Sequence, residues 1–398
     1  MNHRRRTILA SAGIVLIFFV VQLGTLALVE PFQEGGHQFV EDTDDPTISI
    51  VYLVAIVAVT GLMLAAFKYG GESILRLFII FAGAYISFFV FDVFVPDVLT
   101  ATVDGLPVNV LAVAGALALG VALYFHPEWY VIDTAGIIMG IGAAGLFGIN
   151  FGILPALVLL VALAIYDAIS VYGTEHMLTL ASGAMNMKVP VVLVIPVSLS
   201  YSFLDDGGPD HLDRDESDEA VADENGGETT ADEENTRETA VDEEKADSPV
   251  LDSERLEALG PEGIADLDEE ELARLDPDVL EDIDEEIERA LRERLPEREA
   301  LFIGLGDAVI PTVLIASVAF FVDAGPEIHL GVVSASLPVV TAMAGTLLGL
   351  VVLLWMVLKG RAHAGLPLLN GGAIAGYLVG ALWSGLTLTQ ALGIEGLL

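Results

Sequence analysis

Two aspartates stand where a membrane protein tolerates them least. Asp167 closes the apolar run ILPALVLLVALAIYD over 153–167, and Asp307 lies within LFIGLGDAVIPTVLIASVAFF over 301–321. A carboxylate at membrane depth costs several kcal/mol unless it is protonated, paired or turned toward water, so an ionisable residue there is read as functional by default. Two of them on separate apolar runs, each in a distinctive local sequence, read as a pair. Two carboxyls within hydrogen-bonding reach do not both ionise, so one keeps its proton while the other acts as a base. Such a pair activates water against a peptide carbonyl, here inside a bilayer.

The flanking residues suit that use. Tyr166 precedes the first aspartate, and Gly304-Leu305-Gly306 precede the second. Glycines remove side chains, so another backbone or an extended substrate can approach Asp307 closely. Both aspartates lie in runs that enter or leave the same long intervening segment, which puts both toward one side of the membrane. Taken singly, each also fits a helix-end residue snorkelling to the interface; the pairing argues against that reading.

The elements that must hold them are apolar runs long enough to cross a core that needs about 20 helical residues. Nine such runs are present, at 7–29, 49–67, 73–95, 106–125, 129–148, 152–172, 299–322, 334–358 and 365–390. The fifth and sixth are parted only by GINFG. Basic residues beside the spans set the orientation. MNHRRR, Lys68 with Arg76, Lys188, and Lys359 with Arg361 fall on one side, inside, whereas 30–48, 96–105 and 323–333 carry acids without Lys or Arg. Nine spans with the N-terminus cytoplasmic and the C-terminus extracellular satisfy every loop. The expected fold is therefore an all-α polytopic membrane protein with nine transmembrane helices and a long, acidic, partly disordered inner loop between helices 6 and 7. Its domains are read as 1–172 with the first six helices, 173–298 as the loop, and 299–398 with the last three. The opening run of about 23 residues is too long for a leader core and reads as a retained helix.

The inner segment has parts of its own. GTEHMLTLASGAMNM (173–187) reads as an interfacial helix, and VPVVLVIPVSLSYSFL (189–204), rich in Val and broken by Pro196, as a strand or re-entrant piece. Such a strand suits an edge on which an unwound substrate is held extended. From 205 to 249 the composition reads as disorder. From 250 to 296 leucines and isoleucines return at helical spacing, consistent with short amphipathic helices.

Composition agrees with a membrane body carrying a separate acidic segment. The chain is 54% hydrophobic yet has a formal net charge of −40. Of its 57 acidic residues, 39 fall between Asp205 and Glu299, against nine Lys or Arg. That sign excludes nucleic acid as a partner, and soluble parts this acidic are the pattern of proteins adapted to concentrated salt. With no cysteine, disulfides, thiol nucleophiles and Cys-ligated metals are excluded.

One further motif is Ala364-Gly365-Leu366-Pro367, opening the last span after KGRAH. YD in one span, GLGD in the next and a PALP-like tetrapeptide before the last resemble the presenilin and signal-peptide-peptidase family of intramembrane aspartyl proteases, and YDAISVYGTEHMLTL and GLGDAVIP are similar to its archaeal members, halophilic ones by composition. The resemblance runs from about the fifth span to the C-terminus. It implies Asp167 and Asp307 as catalytic residues, with Tyr166, Gly304, Leu305, Gly306, Leu366 and Pro367 shaping the active site. It also implies an endopeptidase that cuts transmembrane segments of other proteins within the lipid bilayer, using water, with no cofactor and no metal. The tetrapeptide departs from the pattern in having Ala364 and Gly365 where Pro and Ala are expected. The sequence does not speak to oligomeric state. The rival reading is a proton-coupled transporter or channel using the same aspartates, which would favour internal repeats that are absent here; a noncatalytic membrane chaperone retaining the fold is a third.

Other polar residues receive plainer readings. Asp92 and Asp133 are expected at the interface, Asn370 between helices, and His176 and His363 at inner boundaries rather than as ligands. Gly136-xxx-Gly140 and Gly372-xxx-Gly376 are expected to serve close helix packing.

Overall fold

The structure, a computed structural model, describes residues 3–40, 43, 47–103, 106–173, 188–196, 259–260, 263, 300–331, 333–359 and 364–395. The chain divides into two compact units, Met1–Gly208 with Arg298–Leu398, and Pro209–Glu297. The helical body belongs to the first. The expectations for 174–187, 197–204 and 205–249, and for most of 250–296, fall outside the described residues, as do His176 and His363.

Within a bilayer only the chain itself satisfies backbone N–H and C=O groups, so long apolar runs fold as helices. The helices are α1 (His3–Glu34), α2 (Thr47–Lys68), α3 (Glu72–Phe94), α4 (Val110–Phe125), α5 (Trp129–Asn150), α6 (Ile153–Gly173), α7 (Leu305–Phe321), α8 (Leu337–Val357), α9 (Gly365–Trp383) and the short α10 (Leu388–Ala391). Seven of these, α1, α2, α3, α5, α6, α8 and α9, are long and apolar enough to cross a membrane among the described residues. The apolar helices α4 and α7 are shorter, at 16 and 17 residues.

Three spans begin later than their hydropathy suggests, because each opens with a strand. These strands are β2 (Leu106–Asn109), β4 (Ala300–Gly304) and β6 (Ser334–Ser336). They pair antiparallel with β1 (Thr100–Val103), β3 (Val192–Pro196) and β5 (Glu327–His329) respectively. Each strand runs to a residue in extended conformation that serves as the helix N-cap: Asn109, Gly304 and Ser336. Asn109 Oδ1 accepts the N–H groups of Leu111 and Ala112. The GINFG junction does separate two helices. Asn150 Oδ1 accepts from Phe39 and Val40 while its Nδ2 donates to His37, and Gly152 donates to the Thr43 carbonyl.

Lipid tails are as apolar as leucine, so helices here associate by close packing rather than by excluding water. Glycines set the closest approach. A Cβ on Gly372 would strike the Gly345 carbonyl, and one on Gly376 the Thr341 carbonyl, so α8 and α9 meet backbone to backbone. Gly136 and Gly140 of α5 make room for Leu193 of β3 and Leu305 of α7. The main apolar core lies among α6, α7, α8 and α9, with Leu160, Leu163, Leu314, Val339, Met343 and Tyr377 buried in it. By contrast α2 is exposed along most of its length.

Candidate active site

Asp307 is positioned by the strand before it. The β3–β4 ladder runs from Pro196 opposite Ala300 to Val192 opposite Gly304, and continues as Leu305 N donates to the Val191 carbonyl over 2.8 Å. The Leu305 side chain is buried against the α5 glycines. The first residue of α7 is thus fixed at backbone and side chain. Asp307 lies two residues on, in the first turn of α7, where unsatisfied N–H groups and the helix dipole favour a negative charge. Pro311 follows four residues later and has no N–H to give the Asp307 carbonyl, so the helix is loosened at this residue.

Asp167 sits in the later half of α6 and is buried, 8% exposed. Its Oδ2 accepts the backbone N–H of Leu366 over 3.0 Å, and the Gly365 N–H is also directed at this carboxylate. Asp167 therefore caps α9, whose N-cap Ala364 has no side-chain partner for those amides. The N-termini of α7 and α9 converge on the two carboxylates.

Gly365 lies between them. A Cβ there would be 3.3 Å from Asp307 Oδ2 and 3.3 Å from Leu353 Cδ2. On the far side of Asp307 the surface is open: a Cβ on Gly304 would meet nothing nearer than Asp307 Oδ2 at 3.6 Å, and one on Gly306 only Ile310 at 3.8 Å. Beside Asp167, an apolar cavity of about 290 Å³ runs between α6 and α9, lined by Leu160, Ala164, Ala168, Pro367, Asn370 and Ile374. Asn370 Nδ2 crosses this junction to donate to the Leu160 carbonyl.

The structure thus brings Asp167, Asp307 and the AGLP segment together, with Gly304 and Gly306 at their margin. Leu366 is buried and Pro367 lines the cavity. Leu305 points into α5, where it anchors α7. Tyr166, 39% exposed, lies on the flank of α6.

Asp133 is buried in the first turns of α5, and its Oδ1 accepts the Val194 N–H over 2.7 Å. That bond pins β3, and through it β4, to the membrane body. Its sequence signal was an acid next to an apolar span, but the partner lies 61 positions away. At Val194 β3 is engaged on both sides, with β4 on one and Asp133 taking the outward N–H on the other. The strand that runs into Asp307 is β4. Asp92, in the last turn of α3, is exposed.

Among the described residues no three His, Asp or Glu side chains are grouped to hold a metal ion.

A family described as signal-peptide peptidase, presenilin aspartyl protease matches residues 15–224 and 278–386. Among solved structures, one of a presenilin family intramembrane aspartate protease in a C222 crystal is 26% identical, covers 94% of this chain and 99% of its own, and superposes with a TM-score of 0.53. A second, of a presenilin family intramembrane aspartate protease in a P2 crystal, is 26% identical, covers 93% and 97%, and has a TM-score of 0.48. None of the curated proteins compared matches the chain.

Proposed function

The chain belongs to the signal-peptide peptidase and presenilin aspartyl protease family and is a multi-pass intramembrane aspartic endopeptidase, and we propose that Asp167 and Asp307 are its catalytic pair. The observation that carries the assignment is the Leu366–Asp167 hydrogen bond, because it sets the AGLP segment beside the first aspartate with Gly365 against the second.

The mechanism follows from the groups present. The pair shares one proton. The ionised carboxylate removes a proton from water, whose oxygen attacks the scissile carbonyl carbon, while the protonated carboxyl gives its proton to the carbonyl oxygen. In the resulting gem-diol, the C–N bond breaks as a proton passes to the leaving nitrogen. The products are a carboxyl terminus and an amine, and one proton remains with the pair. The N-termini of α7 and α9 favour the negative charge that persists throughout.

Gly304 and Gly306 leave space for an extended substrate backbone to pass Asp307. The substrate is held along the β4 approach rather than on β3, whose outward side is engaged by Asp133. Leu305 fixes the start of α7, Leu366 and Pro367 shape the floor beside Asp167, and Tyr166 flanks it. The substrates are transmembrane segments of other proteins. The domains divide at the long acidic segment, with the N-terminus cytoplasmic and the C-terminus outside; Lys359, stacked over Trp355 at 4.3 Å, suits the cytoplasmic interface.

The test is cleavage of a model transmembrane peptide by the purified protein. Asp167→Asn and Asp307→Asn should each lower the rate by about 10³-fold or more while the protein stays folded, the loss expected when an acid–base group is removed. An aspartic-protease transition-state inhibitor should block the native chain. Cleavage retained in either variant would assign the chemistry elsewhere.

A further inference from the structure

The segment that carries Gly365 and Leu366 is tied to α6 at a second point. Tyr172 lies five residues beyond Asp167, near the end of α6, and its hydroxyl oxygen accepts the backbone N–H of Ala364 over 3.3 Å. Two residues later Leu366 donates to Asp167. The chain entering α9 therefore runs along α6 with an anchor just before its first turn and another within it.

Ala364 itself is 4% exposed, with φ −64° and ψ 120°. That φ is the one to which a proline ring locks the backbone. Proline at this position would keep that φ and lose the N–H that Tyr172 receives. Alanine leaves φ free to rotate, so something other than a ring must hold the segment. The side chain of Tyr172 is 65% exposed, so its ring contributes little packing, and what it supplies is the acceptor.

We infer that Tyr172 is a positioning residue for catalysis. Its hydroxyl holds Ala364 in extended conformation. This keeps the Gly365 and Leu366 amides on the Asp167 carboxylate and keeps Gly365 between the two acids. The tie takes the place of a proline ring at this position: a hydrogen bond does what covalent restriction of φ would otherwise do. The inference rests on the reading of Asp167 and Asp307 as the catalytic pair.

The experiment is a double-mutant cycle on the full-length protein with a model transmembrane peptide, reading kcat and KM separately. Tyr172→Phe removes the acceptor and leaves the ring. It should lower kcat by about two- to tenfold, the range of one net hydrogen bond, with KM unchanged. In an Ala364→Pro background there is no N–H to receive, and Tyr172→Phe should produce no further change. Replacing Tyr172 by O-methyltyrosine, which keeps an acceptor oxygen at the same reach, should preserve kcat. Equal losses from Tyr172→Phe in both backgrounds, a native kcat in Tyr172→Phe, or a loss in O-methyltyrosine equal to that in Phe would each overturn the inference. Asp167→Asn, run alongside, separates the two claims. If it is inactive while Tyr172→Phe behaves as the native chain, the tie alone is wrong; if it cleaves, the catalytic assignment is wrong.

Discussion

Leu366 donates its backbone N–H to Asp167 across 199 positions of sequence, over 3.0 Å. One hydrogen bond thereby joins α6 to the start of α9 at the point where Gly365 faces Asp307. Side chains added along this seam act directly on the distance between the two acids.

Gly365 gives the most direct probe. A methyl at this position falls 3.3 Å from Asp307 Oδ2, so Gly365→Ala requires a shift of a few tenths of an ångström, which the Leu353 side chain can partly absorb. A modest loss of kcat, about two- to fivefold, is expected for Ala, on the scale of a small adjustment in reacting geometry. Gly365→Val, which cannot fit between the acids, should abolish cleavage. Equal rates in all three would mean that Gly365 is not near the reacting groups.

Asp133 should matter through structure. Asp133→Ala leaves the buried Val194 N–H without an acceptor, at a cost of about 1–3 kcal/mol. Asp133→Asn keeps Oδ1 and should fold with nearly native stability and activity. Thermal unfolding in detergent, with kcat measured beside it, distinguishes this from a role in the chemistry, in which Asn would be as harmful as Ala.

The α8–α9 contact should be intolerant of side chains on one face only. Gly372→Leu and Gly376→Leu each drive a side chain into a facing carbonyl, and should destabilise by about 1–3 kcal/mol or more. A methyl added at Gly371, one position away, would meet nothing within 4 Å, and Gly371→Ala should be neutral. Melting temperatures of the three variants check the contrast.

Deletion of residues 205–249 should leave peptide cleavage intact. Their sequence is Asp, Glu, Gly and Thr with few large apolar residues, which does not build a core. Loss of activity on deletion, with folding preserved, would show that the acidic segment takes part in catalysis or substrate capture.

The aspartates and the glycines before Asp307 are legible in the sequence because a carboxylate in an apolar run and a glycine beside it are local signals, whereas the AGLP segment stands out only through its resemblance to the family's tetrapeptide. The strand β4 is not legible. ALFIG reads equally as helix or strand, since a short apolar run carries no period that separates the two, and it merges with the apolar run 299–322. Strand β3 is visible in its valines, but the occupants of its two sides are not: both the β4 ladder and the Asp133 carboxylate are contacts distant in sequence. The bond from Ala364 to Tyr172 was equally hidden, because a backbone amide leaves no mark in composition.

The β3–β4 ladder also determines what happens to the covalent chain. Pro196 lies opposite Ala300, so the residues that flank 197–299 in sequence stand side by side on the ladder. The two halves of the protein, one bearing Asp167 and the other Asp307, are clasped there by main-chain hydrogen bonds that owe nothing to the connecting peptide. A nick anywhere along 197–299 would therefore leave a two-chain enzyme rather than two fragments, its halves meeting again at the strand that leads into the second aspartate.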